Sequence, residues 1–424
     1  MFKTLRNAWK IPELRKKILF TLFILLIYRF GNVVPVPYVN IDALVQVFEQ
    51  QFSNTALGLV NALSGSAFSQ ATVFALSIQP YINASIIIQL LTIAIPALER
   101  MSKDGGEEGK RKITLITRYT TVGLGLLMGF AYYVMLNNYG LLTQSGFVTG
   151  LVVVLSFTAG SSFVMWLGEQ ITEFGIGNGI SMILFANIIS RIPHMIVSMV
   201  TNLANGGLSW IAAVGIIVGI LALILFIVFI TNSERRIPVQ YAKRVVGRKM
   251  YGGQSTHLPI KVNMSGVLPI IFAQSIASLP ATIMSFTGGT GGWWYRNIFS
   301  PQCVVYIIVY FLLIIAFSYF YAAVQYNPIE IANNLKKNGG FIPGFRPGRP
   351  TADFIGKVIN KITIFGALYL AVVAILPIII GSIIKINDLA IGGTSVIIVV
   401  GVALETVTAL EAQMMMRHYK GFLE

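Results

Sequence analysis

An all-α, polytopic membrane protein of about ten transmembrane helices is the fold class this sequence predicts, on three observations. Apolar residues make up 55% of the 424 positions and charged residues only 11%, against roughly 25% charged in a soluble domain. The apolar residues gather in about ten runs, each close to the ~20 residues that carry a helix across a ~30 Å hydrocarbon core. The 31 Lys and Arg, against 16 Asp and Glu, are concentrated in a few gaps between those runs.

The first run, Ile18 to Pro35, follows a basic stretch and continues into RFGNVVPVPY with no small-residue cleavage site. It therefore reads as a retained span and not as a cleaved signal peptide. The others lie near Ala71 to Leu98, Tyr119 to Leu136, Val148 to Leu167, Ile176 to Met199, Leu208 to Ile230, Ser265 to Phe286, Val304 to Val324, Ile362 to Gly381 and Gly392 to Ala412. In lipid every backbone polar group must be satisfied within its own segment, so each run is expected to be helical. Two halves of five spans, residues 1–204 and 205–424, would meet near Asn202 to Leu208, an arrangement common in transporters. No obvious sequence repeat relates them.

Basic residues near span ends stay in the cytoplasm. Residues 1–17 hold six Lys and Arg, the gap after span two six, the gap after span six seven, the gap after span eight six and the tail two. If ten helices alternate, these fall on one side. The other side is nearly bare: Phe30 to Glu99 contains no Lys or Arg. Both termini are expected in the cytoplasm.

The missing chemistry narrows the function. One cysteine, Cys303, excludes a disulfide framework, and three scattered His with no partner at ligand spacing give no metal site. Neither a catalytic residue set, an HExxH motif nor a phosphate-binding GxxxxGK[ST] occurs, so no enzyme activity and no cofactor is expected. An ion-coupled transporter of small solutes would bury titratable groups at mid-membrane. The few candidates are Arg29, Glu169, Glu173 and Glu405, all near predicted span ends, where snorkelling or pairing explains them as well.

Two features remain. Span seven carries Gln274, Ser278, Thr282 and Ser285 on one face; span two carries Gln79 and Asn83 on one face and Ser85 and Gln89 on another. Such faces serve either as interhelical hydrogen bonds, about 0.6 kcal/mol each, or as a seam that water or a polar chain can enter. The Gly- and Ser-rich segment SNTALGLVNALSGSAFS between spans one and two is either an external loop or a re-entrant one. The basic gaps Thr231 to Val262 and Asn327 to Lys361 are long and punctuated by Pro and Gly. Their Arg suit anionic lipid headgroups, an acidic protein or RNA phosphate.

Five stretches carry a resemblance: PYINASIIIQLL (Pro80 to Leu91), MWLGEQITEFGIGNGIS (Met165 to Ser181), YAKRVVGRKMYGGQSTHLPIKVNMSGVLPIIFA (Tyr241 to Ala273), GGFIPGFRPGRPTADFI (Gly339 to Ile355) and GGTSVIIVV (Gly392 to Val400). In order and over nearly the whole chain they resemble the SecY family, the channel subunits of the bacterial protein translocon. The resemblance implies two pseudo-symmetric halves around a central pore, in a multi-pass protein of the bacterial cytoplasmic membrane. Such a channel conducts unfolded polypeptides and releases apolar segments sideways into lipid. By the same resemblance an aliphatic pore ring falls on Ile78, Ile82, Ile180, Leu184, Ile271 and Ile398, Leu184 standing where isoleucine is usual. A plug falls on about residues 54–67, including Asn54, Gly58, Asn61 and Gly65. A lateral gate between spans two and seven includes Asn83, Gln89, Gln274, Ser278, Leu279 and Thr282. Docking positions for the SecA motor or the ribosome lie in the basic loops at Arg235, Arg236, Lys243, Arg244, Arg248, Lys249 and Arg346. The implied partners are SecE, SecG, SecA, the ribosome, signal sequences, client polypeptides and membrane lipid.

Overall fold

The computed structural model describes residues 2–52, 56–103, 105–144, 146–204, 209–241, 244–246, 249–251, 255–286, 292–293, 298, 300, 303–384 and 387–420. A short helix α1 (Phe2–Lys10) precedes α2 (Pro12–Gly31). Then come α3 (Ile41–Val47), which runs into one π turn, α4 (Ala56–Leu63), α5 (Gln79–Ala94), α6 (Pro96–Lys103), α7 (Gly106–Asn138), α8 (Phe147–Phe174) and α9 (Gly179–Ala204). The second half comprises α10 (Trp210–Thr231), α11 (Leu268–Phe286), α12 (Val304–Gln325), α13 (Pro328–Lys337), α14 (Arg349–Ile384) and α15 (Asn387–Lys420).

A helix overlaps each of the ten predicted runs, although the run Ala71 to Leu98 is helical only from Gln79. Among the described residues, seven helices are long and apolar enough to cross a membrane, and the pair α5 and α6, bent by 104°, makes an eighth crossing when taken together. The described apolar stretch of α11 is shorter, Leu268–Ala281. Several boundaries differ from the sequence expectation, α7 and α14 each beginning thirteen residues early, and proline accounts for two of the differences. Helix α2 begins six residues early, because Pro12 at its first turn needs no N–H donor there and Glu13 suits the positive helix start. Span two begins late, at Gln79, with Pro80 in its first turn; residues 64–78 are turns, with positive φ at Ser66, Ala71 and Ser77. The bend between α5 and α6 sits at Ile95, extended at φ −106° and ψ 112° because it precedes Pro96.

One large hydrophobic cluster joins both halves, drawing buried side chains from α2, α5, α8 and α9 and from α10, α11, α12, α14 and α15. A second cluster lies toward the end of α7 remote from its basic residues, where α3, its π turn, α4 and residues 68–76 pack on Tyr132, Met135 and Phe157. Tyr28 stacks on Phe74 at 5.7 Å between centroids, and Tyr132 stacks on Phe68 at 4.4 Å.

The tight crossing of α8 and α9 explains the GIGNGIS stretch. Asn178 caps α9, its Oδ1 accepting from the Ile180 N–H at 3.0 Å. A Cβ on Gly179 would lie 1.8 Å from the Gly168 carbonyl oxygen. Gly179→Val is therefore expected to cost about 3 kcal/mol or more through overpacking against backbone, seen as loss of membrane-inserted protein or a lowered aggregation temperature in detergent; wild-type behaviour would refute this crossing.

The two basic loops contain strands, which an all-helical reading did not anticipate. Strands β1 (Glu234–Tyr241), β2 (Arg244–Val246), β3 (Lys249–Tyr251), β4 (Ser255–Lys261) and β5 (Gly340–Phe341) form a three-stranded antiparallel sheet β4-β1-β5 and a hairpin β2-β3. Alternation decides it: on β1, Ile237 and Val239 face inward while Arg236 and Pro238 face outward.

Candidate functional site

The six aliphatic positions come from four separate helices. Ile78 immediately precedes α5 and Ile82 lies one turn into it; Ile180 and Leu184 sit on α9, Ile271 on α11 and Ile398 on α15. Five of them are buried, none more than 5% exposed, and Ile180 is half-buried; all six pack in the one cluster that joins the halves. Branched aliphatic side chains meeting this way close on each other without hydrogen bonds. A constriction built from such side chains would exclude water and ions yet bind no particular sequence.

Helix α4 and the turns after it lie over that cluster, α4 packing against α9, α11 and α15. Asn61 is buried and its Oδ1 accepts from the Ser69 N–H at 2.9 Å, folding the segment back on itself. Ser64 Oγ accepts from the Phe68 N–H at 3.1 Å, and the Tyr132 hydroxyl donates to the Phe68 carbonyl. Gly58 is buried within α4, and Gly65 has φ +68°. Asn54 lies outside the described residues.

Helices α5 and α11 meet through a bond that the sequence did not single out: Gln79 Nε2 donates to Ser275 Oγ at 3.3 Å, both residues buried. Ser275 is adjacent to Gln274 and three residues before Ser278, so the polar face on span seven was its only trace. Gln274 is buried and both its amide atoms lack a hydrogen-bond partner among the described residues. Ser278 is buried and donates to the Ser275 carbonyl at 3.2 Å. Asn83 is half-buried, Leu279 is exposed, and Gln89 is exposed, donating to Ser85 of its own helix at 3.5 Å. The Thr282 side chain lies outside the described residues. The predicted polar residues are therefore not one continuous strip: a buried part around Gln79, Gln274, Ser275 and Ser278 is separated from the exposed Gln89.

At the basic end the two long loops are one body. Strand β1 of the first loop pairs with β5 of the second, Gln240 opposite Phe341 and Tyr241 opposite Gly340. Beneath the sheet Ile237, Val239 and Ile260 pack with Ala332, Ile355 and Ile359 of α13 and α14. Arg235 and Arg346 are exposed on this body; Arg236 is exposed and pairs with Glu234 at 2.7 Å. The Arg346 carbonyl accepts from Thr351 Oγ1 at 2.8 Å, which fixes the turn and leaves the guanidinium outward. The side chains of Arg244 and Lys249 on the hairpin, and the whole of Lys243 and Arg248, lie outside the described residues.

Of the charged candidates, Glu169 of α8 holds Arg118 of α7 in a forked pair at 2.8 and 3.0 Å. Glu173 and Arg29 are exposed. Among the described residues no group of three or more His, Cys, Asp or Glu could hold a metal ion.

The SecY family model matches residues 72–407. Protein translocase subunit SecY of Streptomyces scabiei is 45% identical over 441 residues, covering all of both chains, and that of Mycobacterium bovis is 43% identical over 447 residues, again covering all of both. A solved structure described as that of a protein conducting channel superposes with a TM-score of 0.66 at 18% identity, covering 94% of this chain and 92% of its own. Sec61 in the canine ribosome-channel complex superposes at 0.62 and 16% identity with the same coverage. A helical bundle whose halves meet in one large hydrophobic cluster, a matching family model over most of the chain and full-length relatives above 40% identity agree that the chain belongs to the SecY family.

Proposed function

We propose that this protein-conducting channel subunit is a passive, gated conduit, sealed at rest by the ring of Ile78, Ile82, Ile180, Leu184, Ile271 and Ile398, with Asn54 to Ala67 as its plug. The observation that carries this reading is the meeting of those residues from four helices of both halves in one cluster. An unfolded polypeptide would part the ring, and apolar segments would leave between α5 and α11, where the Gln79 to Ser275 bond is the weak polar contact that an apolar signal sequence replaces. Asn83, Gln89, Gln274, Ser278, Leu279 and Thr282 belong to the same gate. Site-specific crosslinking of a stalled secretory chain tests the route: probes at Ile82 and Ile398 should both capture it, whereas capture only at lipid-facing probes removes the central pore.

The chain is a multi-pass membrane protein. We place it in the bacterial cytoplasmic membrane with both termini in the cytoplasm, on the asymmetry of Lys and Arg between the two sides. The body made by β1, β4, β5, α13 and the start of α14 then faces the cytoplasm. Its outward Arg235, Arg236 and Arg346, with Lys243, Arg244, Arg248 and Lys249 of the hairpin region, suit docking of the SecA motor or the ribosome, because guanidinium binds carboxylate and phosphate in a fork. Solved ribosome-bound relatives of the same fold, Sec61 and yeast Ssh1, support the second. SecE and SecG are the small membrane partners. Arg346→Glu should reduce SecA-driven transport into reconstituted vesicles to background while the protein still inserts and folds. Undiminished transport would remove Arg346 from the docking surface.

A further inference from the structure

Helix α4 ends at Leu63, and a helix end leaves its last carbonyls without donors from the same helix. For Leu63 the donor comes from another helix: Asn187 Nδ2 of α9 donates to the Leu63 carbonyl oxygen at 2.7 Å. The same nitrogen donates to Ser77 Oγ at 3.3 Å, and Ser77 Oγ shares a hydrogen bond with the Tyr28 hydroxyl at 3.1 Å. A carboxamide NH2 has two protons, so both bonds can be made at once. Asn187, Ser77 and Tyr28 are all buried, Asn187 with no exposed surface at all. A polar side chain so placed is costly unless bonded; the Asn187 Nδ2 is bonded, whereas its Oδ1 has no hydrogen-bond partner among the described residues. Gly65 lets the chain come this close: its φ is +68°, and a Cβ there would lie 3.0 Å from Asn187 Oδ1.

Position gives this group its meaning. Leu184 stands three residues before Asn187 on the same face of α9, and Ser77 directly precedes Ile78. The polar group is thus one turn or one residue from ring members on two sides of the constriction, while its other end holds the last turn of α4. Hydrogen bonds weaken steeply once distance or angle departs from ideal. A displacement of Leu184 large enough to admit a polypeptide moves Asn187 with it and strips the Leu63 carbonyl of its donor.

We infer that Asn187, held by Ser77 and Tyr28, is a latch that caps the plug helix in the resting channel and releases it when the ring is spread, making ring dilation and plug departure one event. This rests on the ring and plug reading proposed above. The three are positioning residues: they act through α4 and need not touch the translocating chain.

The test follows plug exposure directly. With Cys303→Ser as background, Ala62→Cys reports the plug through its labelling rate by a membrane-impermeant maleimide added at the plug side. Asn187→Leu keeps the bulk and removes the donor, and should raise resting labelling about five- to tenfold, the worth of one buried hydrogen bond. Tyr28→Phe, which removes the hydroxyl that bonds Ser77 and acts on Asn187 and Asn32 as well but leaves the Asn187 donor in place, should raise it roughly two- to threefold. With a stalled polypeptide in the channel all three proteins should label alike, since the latch is then already open. If Asn187→Leu does not accumulate, Asn187→Ser, too short to reach Leu63, takes its place with the same expected result. Resting labelling at the wild-type rate overturns the latch, and so does a difference that persists with the stalled chain, which would mark Asn187 as general support of the fold. Resting conductance of the Ile82→Gly, Ile398→Gly channel separates the two readings. A leak there with unchanged Asn187→Leu labelling sinks the latch alone, whereas no leak sinks the ring and the latch with it.

Discussion

Channels carrying Ile82→Gly together with Ile398→Gly are expected to conduct ions at rest in planar bilayers, where the unaltered protein stays shut. Both side chains are buried in the shared cluster, at 3% and 0% exposure, and they come from helices of opposite halves. Truncating a buried isoleucine removes about 2–5 kcal/mol of packing, and the lower figure alone corresponds to roughly a thirtyfold shift in an equilibrium between packed and parted states. Two truncations facing one constriction also leave a space roomy enough for water, which ends the dewetting that excludes ions. Single-channel recording measures this directly. A double variant that inserts normally and stays as closed as wild type would mean that these residues pack a core and do not seal a pore.

A second large effect is expected at the contact of α5 with α11. Gln79→Cys combined with Ser275→Cys, in a Cys303→Ser background, places thiols where the 3.3 Å bond now joins the two helices. A short bifunctional methanethiosulfonate, which joins the two cysteines through mixed disulfides, should abolish transport, and reduction of those disulfides by an added thiol should restore it. The native contact is a neutral hydrogen bond worth about 1 kcal/mol, small enough for an arriving apolar helix to displace; a covalent bridge is not. Transport that continues with the bridge verified in place would put the gate elsewhere. Gln274, next to Ser275 in the chain, is buried without a hydrogen-bond partner among the described residues, a cost that an opening between these helices would relieve.

Much of the fold was legible one segment at a time. Composition and run length led to the helices, and proline accounts for the late start of α5 and its bend from α6 once the chain around Ile78 and Ile95 is seen. Prolines and glycines marked the basic gaps as structured, yet the sheet within them was not anticipated. The inward alternation of Ile237 and Val239 is only two residues deep, and β5 is a two-residue partner lying about a hundred residues downstream. Among the site residues, Ile78, Ile82, Ile180, Leu184, Ile271 and Ile398 were singled out by resemblance and not by their chemistry. Isoleucine inside an apolar run reads alike whether it faces lipid, a neighbouring helix or a pore.

Asn187 shows the same limit from the polar side. In the sequence it is one amide within a largely apolar stretch, without a patterned neighbour to mark it; in the structure it caps a helix that precedes it by more than a hundred residues. What the sequence determined by itself is that the chain is helical, apolar enough for a membrane and strongly asymmetric in its basic loops, because length, hydropathy and charge act locally along each segment. Which faces turn toward one another, so that four helices bring their isoleucines and Leu184 into one cluster, two loops share a sheet and α9 caps α4, was decided only by tertiary packing. Those contacts join residues far apart in the chain, and their energies depend on the partner as much as on the residue itself.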